Sequence, residues 1–272
     1  FPNMTLWNKH FVLPPASRLP YKITKLQPFP NHEDIAAIIE REFHLLDPET
    51  GEPRPLPPLP PDPITDLDVD RFGQVHLAAD NRVISINPEP KMHTIVPMPG
   101  EVAAVAAASS FQQSRFESSV PVAFALIVEP PMIVAIHQNR DGFQTESYTL
   151  DTAAVINPDS MLVEMPDNIF VLTNGRLEAF SMELGGDGFT PINVDQPLTS
   201  IRDIVAEDNN VLLVGLDTGP INRTYTAWEF ANDRYVAADW HPLNLVETPG
   251  RLAVRRSNND SKPWAMVDST LN

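Results

Sequence analysis

The stretch "ITDLDVDRFGQVHLAADNRVISIN", residues 64–87, contains the pattern that decides the fold. Its first residues alternate, so that Leu67 and Val69 share one face of an extended chain and acidic residues share the other. Gly73 provides a turn before a second apolar run begins. Short β-type runs separated by turn residues predict a strand, a turn and further strands.

The acidic face, formed by Asp66, Asp68 and Asp70, invites comparison with a calcium loop. An EF-hand loop needs glycine at its sixth position and a bidentate glutamate at its twelfth. Counted from Asp66, these positions hold Arg71 and Leu77, so the template fails. We interpret the three aspartates as the acidic face of an inner strand and its turn. They form a candidate channel or ligand face, which would hold cations or repel a polyanion.

The same alternation of runs and turns continues from residue 64 to the end of the chain. It forms five units, each with four short runs except the last, which has three. The second runs recur at intervals of about 41 to 48 residues, which is typical of β-propeller blades. The residues that anchor these second runs are Val75, Ala123, Ile169, Val211 and Leu252. We therefore predict an all-β, propeller-like array of about five four-stranded units. The alternative is two tandem β-sandwiches with a break near residue 150.

Residues 64–87 resemble the strand, D-x-x-G turn, strand pattern of propeller repeats of the WD40 and NHL kind. The stretch "PDNIFVLTNGRLEAF", residues 166–180, looks like another propeller hairpin, with Asn174 and Gly175 at its turn. It is also similar to hairpins in the propeller part of tailed-phage nozzle proteins. The resemblance covers residues 64–272 at the level of the blade pattern. It implies a propeller fold and carries over no catalytic residue.

The N-terminal part of the chain reads differently. Residues 1–46 are predicted to form an arm with one helix over residues 31–46, where isoleucines recur at helical spacing. Residues 47–63 are rich in proline and predict a stiff linker to the propeller-like domain, residues 64–272. The arm segment "YKITKL" is expected to supply the strand that the last unit lacks, unless another protein chain covers that edge.

Composition limits the functions to consider. The chain of 272 residues has a net charge of -17, which argues against gripping duplex nucleic acid or inserting into an anionic membrane. It contains no cysteine, so thiolate chemistry and cysteine-ligated metals are excluded. We predict no cofactor. The chain begins at Phe1, which suggests a processed form or a fragment.

No catalytic motif stands out in the sequence. The seven histidines form no H-x-H or H-E-x-x-H spacing, and no G-x-S-x-G elbow occurs. Histidines such as His76 lie in strand positions and are predicted to be core or surface residues. Aromatic residues are concentrated in the fourth unit, where they favour blade packing and are also candidates for binding a partner or a sugar. They are Trp228, Phe230, Tyr235 and Trp240.

These patterns predict a non-enzymatic structural or interaction propeller that is a subunit of a larger protein assembly. A scaffold subunit and a virion or phage-tail component are both consistent with them. Other protein subunits are expected to bind through the N-terminal arm and the polar loop over residues 106–119. The alternative is an extracytoplasmic propeller that binds or hydrolyses glycans, since paired carboxylates for that reaction can come from distant strands.

Overall fold

All regular secondary structure is β-strand in the part of the chain that the computed structural model describes. This part comprises residues 23–29, 34–47, 53–56, 58–70, 72–87, 92–108, 121–152, 154–165, 168–183, 188–193, 201–207, 210–216, 223–231, 234–237, 244–248, 251–255 and 264–267. Within it, no helix is long and apolar enough to cross a membrane.

The strands form six antiparallel sheets, each built from consecutive strands. Sheet 1 contains β1 (Ile23–Pro28), β2 (Ile35–Ile39), β3 (Glu42–Leu46) and β4 (Pro53–Arg54). Sheet 2 contains β5 (Ile64–Val69), β6 (Val75–Ala79), β7 (Arg82–Asn87) and β8 (Met92–Pro97). Sheet 3 contains β9 (Val102–Ala107), β10 (Ala123–Ile127), β11 (Met132–Asn139) and β12 (Gly142–Thr149).

Sheets 4 and 5 repeat the four-stranded meander, and sheet 6 has three strands among the described residues. Sheet 4 contains β13 (Met161–Met165), β14 (Asn168–Thr173), β15 (Arg176–Glu183) and β16 (Gly188–Ile192). Sheet 5 contains β17 (Ile201–Glu207), β18 (Asn210–Leu216), β19 (Arg223–Ala231) and β20 (Arg234–Ala237). Sheet 6 contains β21 (Asn244–Thr248), β22 (Arg251–Arg255) and β23 (Trp264–Val267).

Sheets 1 to 5 pack face to face in sequence order, with their first strands side by side. β1 contacts β5, β5 contacts β9, β9 contacts β13 and β13 contacts β17. The apolar core is divided accordingly. Leu67 lies in the cluster between sheets 1 and 2, Val105 in the one between sheets 2 and 3, and Phe124 in the one between sheets 3 and 4. Meanders stacked with their first strands innermost form a β-propeller, in which each sheet buries both faces against its neighbours.

The five units predicted from the sequence coincide with sheets 2 to 6, and the five anchor residues all lie in second strands. The predicted turn at Asn174 and Gly175 is also confirmed, since both residues have positive φ, 51° and 74°. The tandem-sandwich alternative is wrong, because one core cluster joins Phe124 of sheet 3 to Phe180 of sheet 4 across residue 150.

The first strands share a further repeat that composition does not reveal. The pairing with the second strand shifts register between the first and third residues of β1, β5, β9 and β17. The third residues, which are therefore equivalent, are Lys25, Asp66, Ala104 and Asp203. The irregularity thus recurs in four of the described sheets, whereas β13 and β21 pair with their second strands without it.

The helix predicted over residues 31–46 is wrong, because its described part forms the hairpin of β2 and β3. β2 is buried on both faces, so its apolar run lacks the alternation that distinguishes a strand from a helix. The hairpin turn is made by Glu40 and Arg41, which have φ values of 52° and 68°. Neither residue is a usual turn former in this conformation, and the sequence therefore gave no turn signal there.

The arm and the proline-rich segment together form sheet 1. β1 pairs with β2, so the expectation that "YKITKL" completes the last sheet is wrong. Pro53 and Arg54 of the proline-rich segment pair with β3 as the fourth strand. Leu56 and Leu59 then pack against the cluster between sheets 1 and 2. The division of the chain at residues 46 and 63 stays a prediction.

Gly188, at the start of β16, offers a test of the packing between sheets 3 and 4. Its φ is 81°, and a Cβ atom there would collide with the ring of Tyr148 on β12. We expect Gly188→Ala to lower the free energy of unfolding by about 1–3 kcal/mol, measured by chemical denaturation. In a Tyr148→Ala background the same change should cost less, because only the backbone penalty remains. An equal loss in both backgrounds would contradict the proposed collision.

Candidate functional site: an acidic joint between sheets

The aspartates singled out from the sequence lie where sheet 2 meets sheet 3. Leu67 and Val69 of β5 face sheet 1 and belong to the cluster between sheets 1 and 2. Asp66 and Asp68 alternate with them, and their carboxylates reach the first strand of sheet 3. Strand alternation therefore sends the apolar residues to one neighbouring sheet and the acidic residues to the other.

Both carboxylates accept backbone hydrogen bonds from β9. The Val105 N–H donates to Asp66 Oδ2 at 2.9 Å, and the Ala107 N–H donates to Asp68 Oδ2 at 2.8 Å. β9 is the edge strand of sheet 3, so N–H groups that point away from β10 find no acceptor within their own sheet. The two-residue spacing on β5 matches the two-residue spacing of outward N–H groups on β9.

The contacts of Asp66 and Asp68 with β9 form the acidic joint, and Lys25 extends it to sheet 1. Its ammonium group donates to Asp66 Oδ1, which links β1 to β5 as an ion pair. Asp66 of sheet 2 therefore contacts both sheet 1 and sheet 3. It is largely buried, with 9% of its surface exposed. Lys25 was not recognised from the sequence. The sequence contained a clue, because "ITKLQP" of β1 and "ITDLDV" of β5 begin alike and place Lys25 and Asp66 at the same position. The register shift that both strands share confirms this alignment.

Burial between the sheets raises the pKa of Asp68 above its usual value of 3.8. The positive charge of Lys25 and the N–H groups of Ala107 and Val69 oppose this rise, and the negative charge of Asp66 adds to it. Desolvation outweighs the favourable contacts, so the folded protein binds a proton at Asp68 more tightly than the unfolded chain does.

Asp70 has a different role from the other two aspartates. Its Oδ1 accepts the N–H groups of Phe72 and Gln74, each at 2.8 Å, and its carbonyl oxygen accepts the Gly73 N–H at 2.9 Å. These bonds hold the turn between β5 and β6, which confirms the turn predicted at Asp70 to Gly73. Gly73 has a φ of 80°, the left-handed conformation that glycine adopts most readily.

A buried polar group adjoins this turn. The Nδ1 of His76 lies 2.9 Å from Ser85 Oγ, and its Nε2 lies 4.0 Å from Asp70 Oδ2. These are the residue types of a serine hydrolase triad, in which the serine must reach a substrate. Ser85 is 1% exposed and His76 is 0% exposed, so the hydroxyl is closed off from solvent. The hydrogen bond between His76 and Ser85 joins β6 to β7 within sheet 2, and His76 Nε2 is too far from Asp70 Oδ2 for the hydrogen bond that a triad requires.

The remaining predicted residues lie mostly in parts where only the backbone is described. Trp228 and Phe230 belong to β19, Tyr235 belongs to β20, and the register places Phe230 opposite Tyr235. Trp240 lies outside the described residues, as do residues 109–119 of the predicted partner loop, whereas its first residues, Ala106 and Ala107, belong to strand β9. Partner binding by these aromatics and a ligand-face role for the three aspartates stay predictions. Within the described residues, no group of three or more histidine, aspartate or glutamate side chains could hold a metal ion.

Comparison with solved structures gives the same fold. The Cps50 (Swd1) β-propeller domain of Myceliophteria thermophila superposes with a TM-score of 0.53 at 15% identity, over 91% of this chain and 87% of that chain. The WD40 domain of SCAP from fission yeast superposes with a TM-score of 0.53 at 13% identity, over 92% and 70%. The chain therefore folds as a β-propeller like those of WD40 domains. No protein-family model and no curated protein sequence matches it.

The contacts of the acidic joint are expected to contribute to stability. Asp66→Ala removes the acceptor of a buried N–H group and the partner of Lys25, so we expect the free energy of unfolding to fall by about 1–3 kcal/mol. Asp141→Ala changes an exposed aspartate in a turn and serves as the matched control, with an expected change within about 0.5 kcal/mol. Urea titration of both variants measures the difference, and equal values would show that the joint contributes nothing.

A second prediction concerns pH. The folded-state pKa of Asp68 is raised, so its contribution to stability is fully present below 3.8 and is lost as the pH rises through the raised value. Asp68→Asn cannot titrate. The unfolding free energy of the wild type minus that of Asp68→Asn should therefore decrease as the pH rises through this window. Urea titrations across that pH range check it, and an increase with pH would mean that the pKa is instead depressed.

Proposed function

We propose that this chain is a non-enzymatic β-propeller that binds other proteins as a subunit of a larger assembly. The observation that carries the proposal is the use of the polar residues between sheets 2 and 3. Asp66, Asp68 and Asp70 accept backbone N–H groups, and Ser85 and His76 contact each other in the core. Side chains with the chemistry for catalysis are engaged in holding the fold at this position, so the outer surface is left for recognition.

The solved structures to which the chain is similar support a propeller of the interaction type. They are the β-propeller domain of Cps50 (Swd1) and the WD40 domain of SCAP. The net charge of -17 favours a partner with a positively charged surface. Within this class, a scaffold subunit and a virion or phage-tail component are the two specific roles that we propose. The N-terminal arm and the loop over residues 106–119 are the proposed contact regions.

The loop can be tested without damaging the sheet that carries it. β9 and β10 are directly paired at Ala107 and Ala123, and the Ala108 N–H donates to the Val122 carbonyl at 3.0 Å. The two strands therefore already form a closed hairpin at the point where the loop leaves. A short Asn-Gly turn can replace the loop, because two-residue turns join strands paired in this way.

We expect the wild-type chain to elute in a complex larger than its monomer when isolated from its native source. The variant in which Asn-Gly replaces residues 109–121 should elute as a monomer with an unchanged melting temperature. Size-exclusion chromatography with light scattering measures both species. A wild-type monomer that binds or cleaves oligosaccharides would overturn the assembly function and favour the glycan alternative.

A further inference from the structure

The outermost strand of sheet 2 is β8, and its outer edge is accessible to solvent. It ends the sheet order, and most of its residues are exposed. Met92 is 63% exposed and Ile95 is 42% exposed, although neighbouring Val96 is buried against sheet 3. The backbone groups of an outermost strand that point away from its partner are available to a further strand.

β8 differs in its residues from the other outer strands whose side chains the structure describes. β4 has two residues and includes Pro53. β16 contains Pro191 in its interior, and proline cannot donate to a new strand. β12 carries Glu146, and its Tyr148 packs edge-on against Phe189 of sheet 4 with ring centroids 5.3 Å apart. β8, with the sequence "MHTIVP", contains no lysine, arginine, aspartate or glutamate and has proline only at its last position.

Acidic side chains lie near the end of β8 that carries Pro97. The Met98 N–H donates to the Asn81 carbonyl at 2.9 Å, and the Val102 N–H donates to the Asp80 carbonyl at 2.7 Å. These bonds hold the β6–β7 turn against the chain that leaves β8. Asp80 and Glu101 are both exposed there, and Arg82, opposite Pro97, forms a salt bridge with Asp62, so the net charge of these groups is negative.

We propose that β8 binds an extended segment of a partner protein, which joins sheet 2 as a fifth, antiparallel strand. An antiparallel strand begins where β8 ends, so the amino-terminal residues of the segment lie beside Asp80 and Glu101 and are basic. Its central residues are apolar and β-branched, and they pack beside Ile95 and Met92. This inference deepens the proposed function, on which it rests, by naming the surface and the chemistry of the partner segment.

The probe is a fluorescent synthetic peptide with lysines at its amino end followed by alternating valine and threonine. We expect it to bind the full chain, and His93→Pro to weaken binding about tenfold or more, because the His93 N–H points away from β7 and is one of the donors available to an added strand. Ile95→Lys is a second variant that leaves the backbone of β8 intact. The matched controls are Thr145→Pro and Thr145→Lys, at an exposed threonine in the outer strand β12. They should bind the peptide like the wild type.

The charge of the partner segment is tested separately. Asp80→Asn combined with Glu101→Gln should weaken binding of this peptide, and a peptide with its lysines moved to the carboxyl end should bind the wild type less tightly. Fluorescence anisotropy measures each affinity, and circular dichroism with thermal melting confirms that each variant is folded. Absent binding to the wild type, or equal binding by folded Ile95→Lys, overturns the proposal.

The same variants separate this inference from the proposed function. If the native complex persists in folded His93→Pro and Ile95→Lys, the β8 surface is not the binding site, although the assembly function stands. If the wild-type chain occurs in no complex, the assembly function fails, and the peptide measurements alone decide whether β8 accepts a strand.

Discussion

Backbone N–H groups that face a neighbouring sheet are the constraint on which this structure depends. In a propeller the first strand of each sheet is an edge, and it is buried beside other first strands where water cannot satisfy it. At β9 the acceptors for these N–H groups are side-chain carboxylates, which Asp66 and Asp68 of the preceding sheet supply. The cost is a buried negative charge, which Lys25 of sheet 1 partly offsets. Lost acceptors would leave buried donors unpaired, a larger penalty than the bonds themselves are worth.

The equivalent positions of the first strands show how this solution varies along the chain. The third residue is Lys25 in sheet 1, Asp66 in sheet 2, Ala104 in sheet 3 and Asp203 in sheet 5. The cation and the first anion pair with each other, and the alanine follows where small side chains pack between sheets 3 and 4. One backbone geometry therefore accommodates the charged contact of Lys25 with Asp66 and the apolar contact of Ala104.

Much of the architecture could be predicted from the sequence, because strands of sheets 2 to 5 carry alternating or short apolar runs bounded by turn residues. Sheet 1 could not, because β2 is apolar on both faces and its turn at Glu40 and Arg41 contains no residue that signals positive φ. The strand β4 in the proline-rich segment could not be predicted either, because two residues are too few to show a strand pattern. The acidic alternation of β5 was recognised, but its targets on β9 lie about 39 residues away in sequence and became evident only from the packing of the sheets.

Each of the six sheets is made from one continuous segment of chain, so strand pairing within a sheet joins residues that are close in sequence. Sheet 1, for example, is complete once residues 23–54 are available. Such a molecule can form its meanders one after another as the ribosome delivers them, and only the docking of finished sheets involves distant parts of the chain. Sheet 1 then presents Lys25 before sheet 2 supplies the carboxylate that pairs with it. The order of synthesis thus matches the order in which the charges are neutralised.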